Sequence, residues 1–447
     1  MNGSLDGWPR ASVDAAAAIV GNVGNVGAEH RWSDASTVER EVMRRRNRRW
    51  ASSGLMGLTG PVDRPLLVDT LFFDRWRELC NQAMIALANN DATSAEIRIR
   101  PRSLLTARAR RNGLERRGPV SANGHCHLLA TADGHVALNL ARRSDVELLP
   151  ALLEQDVELS AADAGDANKI QQVLTPLMAT AAGVVIVDRG RLLGLPICRV
   201  PDAGGLNTQS GGGPAAPFGL WRPATPRAQP IARAPRIVDL APLWAGPLAA
   251  QLLANSGSAV TRVESVRRPD GLRRGDPVHW HELNDGKELH LLDLPDSAAI
   301  ADLQALITNA DIVISGARPR VFAQWGVDVP ALVANGLVWV AITGHGAHGS
   351  AAERVAFGDD AAVAGGLVAW SSGQPNFIGD AVGDPVAGVT AALAASTVWQ
   401  RGGGALVDVA MANAVRWLIG DDPLTARMPE MDVHGQIFED GPAYRFV

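Results

Sequence analysis

Residues 236–265 read RIVDLAPLWAGPLAAQLLANSGSAVTRVES, and the reading of this stretch decides the fold. RIVDL (236–240) is a short apolar run of the kind that forms a buried parallel strand. WAGPLAAQLLANSG (244–257) continues as a helix. Pro247 falls in its first turn, where a missing N–H costs nothing, and Gly257 supplies the C-terminal stop. AVTRVES (259–265) is the next strand. The alternation then runs on through LHLLDL (289–294), the amphipathic helix SAAIADLQALI (297–307), DIVISG (311–316) and VWVAITG (338–344). Strands alternating with helices imply right-handed crossovers and an α/β fold, a Rossmann-like open parallel sheet with helices on both faces. Ligands of such sheets sit beyond the carboxyl ends of the strands. That rule gathers Glu264, Arg318 and the glycine-rich turn 344–349 around one crevice.

Upstream, SGGGPAAPFGLWRPATPRAQP (210–230) has no hydrophobic period and reads as a Gly/Pro-rich linker, 209–232, with a mobile lid as the other reading of its triple glycine. Before it lies a region of different texture. Residues 38–58 and 72–88 read as helices, and HCHLLATADGHVALNLA (125–141) as a hairpin turning at Ala132-Asp133-Gly134. Two further amphipathic helices lead to GVVIVDRG (183–190) and LLGLPICRV (192–200), which makes this a smaller α+β domain. The expected organisation is a flexible segment 1–35, the α+β region 36–208, the linker 209–232, the Rossmann-like region 233–422 and a tail 423–447.

Composition narrows the function. The chain has 447 residues, 47% hydrophobic and 20% charged, ordinary values for a soluble globular protein with a large core. A net charge of −5 speaks against a general nucleic-acid binder. The basic clusters 44–49 (RRRNRR) and 100–117 lack interleaved aromatic residues, so they read as solvated helix faces or as a rim whose field attracts phosphates. Cys80, Cys126 and Cys198 have neither metal-ligand spacing nor a disulfide framework, and read as buried, reduced thiols. With no secretory signal at the start and no apolar run of membrane-spanning length, the expectation is a cytoplasmic protein without membrane or metal. Abundant alanine, glycine and arginine with almost no lysine has the look of a GC-rich bacterial genome.

From Arg236 onward the sequence resembles the amino-terminal half of the family III CoA-transferase group, the CaiB/BaiF type that includes formyl-CoA transferases and 2-methylacyl-CoA racemases. The resemblance rests on Ala245, Gly246, Pro247 and Glu264, then on RRPDGLRRGD (267–276), Asn284-Asp285-Gly286-Lys287, ADIVISGARP (310–319) and ITGHGAHGS (342–350). The first half resembles the family's carboxyl half: WASSGLMGLTGPVDRP (50–65) looks like the segment after the catalytic residue, and 131–141 and 191–200 look like its small domain. SSGLMGLTG (52–60) is also similar to GGLVAWSSG (365–373), so the halves stand in permuted or trimmed-tandem order.

The resemblance implies an acyl-CoA and a carboxylic acid acceptor as partners, a homodimer, and an aspartate that attacks the thioester to form an anhydride and then a CoA thioester. In RVAFGDDAAVAGGL (354–367), aligning Arg354 and Gly366-Leu367 with the family pattern puts the aspartate position on Gly358, one residue short of the Asp359-Asp360 pair. Asp359 or Asp360 is therefore the candidate nucleophile, and their other reading is a helix N-terminus, where Asp is favoured. Backbone N–H groups around Gly344, Gly346 and Gly349 are the candidate oxyanion donors. Gly246, Pro247, Glu264, Arg273, Arg274, Asn284, Lys287 and Arg318 occupy positions resembling those that meet CoA. His345 and His348 are the available bases for a racemase, the alternative reaction; a non-catalytic CoA-binding subunit is the third reading.

Overall fold

The computed structural model describes residues 37–88, 98–202, 216–223, 233–294, 296–420 and 424–427. In chain order its strands are β1 (Leu67–Asp69), β2 (Cys126–Thr131), β3 (Gly134–Asn139), β4 (Ile197–Arg199), β5 (Gly219–Trp221), β6 (Arg236–Asp239), β7 (Ala259–Ser265), β8 (Glu288–Leu292), β9 (Ile312–Ser315), β10 (Val338–Thr343), β11 (Val368–Ser371), β12 (Gln374–Phe377), β13 (Ala405–Ala410) and β14 (Thr425–Arg427).

Seven of these form the main sheet, in the order β5-β13-β10-β9-β6-β7-β8. All pairings are parallel except β5 against β13. Leaving β5 aside, the chain starts in the middle at β6, runs outward through β7 and β8, then returns to the other side for β9, β10 and β13. This is the doubly wound order, with its switch point between β6 and β9. Val238, Val313 and Trp339 pack on one face of the sheet and Ile237, Ile312 and Val340 on the other, so the central strands are covered on both sides.

Two expectations change here. Gly219–Trp221, inside the stretch read as a linker, pairs antiparallel with Leu406–Asp408 as an edge strand. Thr425–Arg427, inside the expected tail, pairs with Leu67–Asp69. Both segments are three residues long, too short for a periodic signal in the sequence, and both exist because a neighbouring edge offers its backbone groups.

The α+β region also forms largely as read. β2 and β3 make the hairpin, and β4 adds antiparallel to β3. GVVIVDRG lies in a helix, Gly183–Leu192, and only the end of the following run becomes β4. The helix expected over 38–58 stops at Ser53. Gly54 takes φ 83°, a left-handed conformation that breaks it, and Leu55–Leu58 is a separate 3-10 turn. The two similar stretches 52–60 and 365–373 consequently differ in form, since the second contains β11.

The two halves share a core. The helix Gly383–Gln400 is buried on nearly every side and packs against both the helix Ala245–Ala254 and the first-half helix Phe72–Ala88. Its small side chains permit this: a Cβ on Gly388 would stand 2.8 Å from the Ala245 carbonyl oxygen. Ser396 Oγ donates to the Ala86 carbonyl at 2.9 Å across the same contact.

Candidate active site

A cleft of ≈ 360 Å3 opens at the carboxyl ends of β6, β9 and β10, on the switch point of the sheet. Its floor is the turn after β6 (Ala241, Pro242, Leu243) and the start of the helix Ala245–Ala254. Gly246 is required there, because a Cβ would collide with that of Ala241, and its absence lets the helix N-terminus approach the turn. Gly316 and Arg318 enter from the end of β9, Thr343 and Gly344 from the end of β10. Arg142, Arg354 and Phe357 close the far wall, and Asp384 brings a carboxylate into the lining. A second cleft of ≈ 280 Å3 shares the Pro242, Gly316 and Ala317 wall and is lined by Glu264, Ser265 and Arg268. The crevice expected around Glu264, Arg318 and Gly344 is thus two adjoining compartments.

Behind the first cleft lies a cluster of four carboxylates at the join between the halves. Asp359 is 5% exposed; its Oδ2 accepts from Asn123 Nδ2 at 2.7 Å and its Oδ1 from the Ala381 N–H at 2.8 Å. Burial pushes its carboxyl up to about 6, with the charge of Asp380 adding to the effect and the Asn123 hydrogen bond opposing it. Asp360 is fully buried. Its Oδ1 accepts from Asn139 Nδ2 at 3.0 Å and from the Phe357 N–H at 2.9 Å, and Oδ2 has no hydrogen-bond partner among the described residues. Burial raises it to about 7 against those hydrogen bonds. By holding the Phe357 N–H it caps the helix Gly358–Ala364.

Asp380 is clasped by Arg108, whose Nε donates to Oδ2 at 2.9 Å. The same guanidinium stacks over Trp244, 5.1 Å from the ring centroid. Arg108 belongs to the 100–117 cluster read as a solvated face or rim, and here it turns inward as the counter-ion of the carboxylates. Asp384 is only partly buried and lines the cleft beside the start of the helix Ala245–Ala254. Burial lifts its carboxyl to about 7, Arg108 opposing and Asp359 reinforcing the shift.

The residues expected to meet CoA separate into two groups. Gly246, Gly344 and Arg318 line the first cleft and Glu264 the second. Arg318 lies 3.8 Å from Glu353, which Arg320 holds more closely at 3.1 Å, and burial together with the charges of Arg320 and Arg142 lowers its basicity. Lys287 is used internally: its ammonium donates to Asp239 Oδ2 at 3.0 Å, the Pro247 carbonyl at 2.9 Å and Asn284 Oδ1 at 3.3 Å, with the side chain 1% exposed. Asn284 and Pro247 are therefore parts of a buried scaffold that ties the helix start to β6. Arg273 donates to Glu264 at 2.8 Å and stacks over Trp280 at 3.9 Å, while Arg274 is exposed.

Of the glycine turn, only Gly344 lines the cleft. Gly346 donates its N–H to Thr343 Oγ1 at 2.9 Å, and Gly349 sits in a left-handed turn at φ 57°. His345 and His348 line neither cleft, and burial pushes the His345 imidazole down to about 3. Sequence reading missed Arg108, Asn123, Asn139, Arg142, Asp380 and Asp384. The first four lie in the half without a catalytic motif, and no local spacing joins them to residues some 220 to 270 positions away. Cys80, Cys126 and Cys198 are free and buried. Among the described residues, no group of three or more His, Cys, Asp or Glu is arranged to hold a metal ion, and no helix is long and apolar enough to cross a membrane.

Residues 235–445 match CoA-transferase family III. The chain is 29% identical over 220 residues to a succinyl-CoA–D-citramalate CoA-transferase of Chloroflexus aurantiacus, covering 46% of this chain and 54% of that protein. It is 29% identical over 212 residues to a succinate–glutarate CoA-transferase of Agrobacterium fabrum, covering 42% and 52%. Among solved structures, a CAIB/BAIF family protein from Brucella suis is 27% identical, with 40% of this chain and 53% of that chain covered and a TM-score of 0.37. The chain spans about half the length of the curated relatives it matches.

Proposed function

From the premise that residues 235–445 belong to CoA-transferase family III, we propose that this protein moves CoA from an acyl-CoA to a carboxylic acid, through a carboxylate of the cluster that contains Asp359 and Asp360. The observation that carries the reading is the cleft itself. One helix N-terminus, the side chain of Arg318 and a carboxylate meet at the switch point of a doubly wound sheet, inside the residues that match the family. Arg318 and the helix dipole suit the phosphates of CoA, and the adjoining compartment extends the space available to so long a ligand. Arg142, which also pairs with Asp145, and Arg354 bring positive charge to the same cleft, which suits the carboxylate of the acceptor acid.

A homodimer accompanies this reading by family resemblance. The acyl group and the acceptor are those of an organic acid pair, with the dicarboxylates named for the two relatives as the first to try.

The test is CoA exchange followed by mass spectrometry. Incubation with succinyl-CoA and an isotopically labelled dicarboxylic acid should yield the labelled acyl-CoA with the total thioester conserved. CoA binding without exchange would replace the reading with that of a binding subunit. Deuterium uptake at the acyl α-carbon without exchange would replace it with a racemase.

A further inference from the structure

We infer that Arg142 is the residue that selects the acid: the cleft takes an acid with a second carboxylate, and Arg142 holds that far group. The inference rests on the CoA-transfer reading above and names the class of acid that its site exchanges.

Arg142 is a fixed cation. Its Nε donates to Asp145 Oδ1 at 2.8 Å and to Oδ2 at 3.0 Å, and its Nη2 donates to the Gly194 carbonyl at 3.0 Å. The guanidinium also stands over Phe357, 5.9 Å from the ring centroid. The Asp145 side chain is only 1% exposed, so a buried carboxylate serves to aim this one guanidinium. Nη1 makes no hydrogen bond among the described residues, and the side chain, 43% exposed, lines the cleft. A donor edge held still before the ligand arrives lowers the ordering cost of binding a carboxylate.

The backbone that carries Arg142 is fixed as well. At the end of β3, Asn139 Oδ1 accepts the Ala141 N–H at 3.1 Å while Asn139 Nδ2 donates to Asp360 at 3.0 Å. Residues 139–142 of the first half are thereby tied to the wall built by the second. Burial and the charge of Arg320 lower the basicity of Arg318, and the charge of Arg142 adds to that effect. Two guanidiniums that feel each other across one cleft favour anionic groups between them.

The anions of the reaction divide between these cations. Arg318 and the start of the helix Ala245–Ala254 suit the phosphates of CoA. An acid with one carboxylate uses it in the exchange and has nothing left for a second cation. An acid with two presents the far one to Arg142, while Val355, Phe357 and Met411 cover the carbons between. Arg142 lies outside residues 235–445, so the selecting group comes from the other half of the chain.

The experiment compares succinate with butyrate, acids of equal chain length that differ in the second carboxylate, as acceptors at saturating succinyl-CoA. The unmodified protein should prefer succinate. Arg142→Gln should lower kcat/KM for succinate roughly 10- to 100-fold, the loss of one hydrogen bond between charged groups. The loss should fall on KM, with kcat, butyrate exchange and CoA affinity unchanged. Arg142→Lys keeps a charge for Asp145 but loses the planar fork, so it should show part of the same loss, and it serves where the glutamine variant fails to fold. Equal use of the two acids by the unmodified protein overturns the inference, as does an equal loss for both acids in the variants. Both results leave the transferase reading intact. Absence of exchange with either acid overturns that reading instead. Calorimetry of succinate on the CoA-loaded protein then decides the inference by itself: binding that Arg142→Gln weakens supports it, and binding that the variant leaves unchanged, or no binding, overturns it.

Discussion

Arg108 and Asp380 grip each other across the join between the two halves of the chain, with Nε 2.9 Å from Oδ2 and side chains 16% and 1% exposed. Removing one partner strands the other in a poorly solvated site beside three more acids. Arg108→Met should therefore destabilise the fold by about 3–5 kcal/mol, read as a drop in the urea midpoint. Arg108→Met with Asp380→Asn should recover part of it, because the double change removes both charges.

Gly358 faces the Asp384 carboxylate without a Cβ between them. Gly358→Ala forces the carboxylate or the Ala381 carbonyl to move, a case of overpacking worth about 1–3 kcal/mol. Under the CoA-transfer reading, displacing this cleft carboxylate by about an ångström should slow exchange by about 100-fold. CoA affinity should be unchanged, so calorimetry and the exchange assay together check the prediction.

Lys287 and Arg318 should respond oppositely. Lys287→Met removes a buried cation from Asp239 and from the Pro247 carbonyl, and should cost about 3 kcal/mol of stability with little effect on the affinity of the folded protein for CoA. Arg318→Ala removes a cleft-facing charge that lies 3.8 Å from Glu353. Its stability should hold while CoA binding weakens about tenfold, or ~1.4 kcal/mol. Thermal unfolding and calorimetry on both variants separate the two.

Stability should fall as pH rises from about 4 to 7. Asp359 and Asp360 hold their protons in the folded state up to about 6 and about 7, whereas the unfolded chain releases them near the ordinary carboxylate value. In that window the native state binds more protons, and the slope of unfolding free energy with pH is negative. Asp360 faces Asn139, the Phe357 N–H, Asp359 and the more distant charge of Arg354. Asp360→Asn keeps the acceptor oxygen for the first two and cannot ionise, so it should flatten the decline and stabilise the protein at pH 8. Urea titrations at stepped pH values measure both effects.

Under the CoA-transfer reading, ionisation of the cleft-lining Asp384 should produce an ascending limb in kcat/KM with an apparent pKa near 7. Arg108→Lys, which keeps a positive charge but loses the planar fork on Asp380, should shift that limb toward higher pH.

The sequence by itself determined the α/β class, the strands from β6 to β10, the helix between β6 and β7, the first-half hairpin and the family resemblance. Each of these is local: an apolar run, a 3.6-residue period, or a turn residue at its required position expresses itself within about ten neighbours. It also located three residues of the first cleft, Gly246, Arg318 and Gly344, because loops at strand ends are where such sheets bind ligands.

Tertiary structure alone decided the rest. It added β5 and β14, which are too short to carry a period and form only on an edge supplied by another part of the chain. It turned Lys287 inward and Arg108 onto the acids. It also put the cleft-facing carboxylate on Asp384, beyond the motif that surrounds Gly358. Charge, burial and hydrogen bonding at a site depend on which atoms approach in space. For side chains separated by hundreds of residues, only the packing of the helices and sheets that carry them sets those distances.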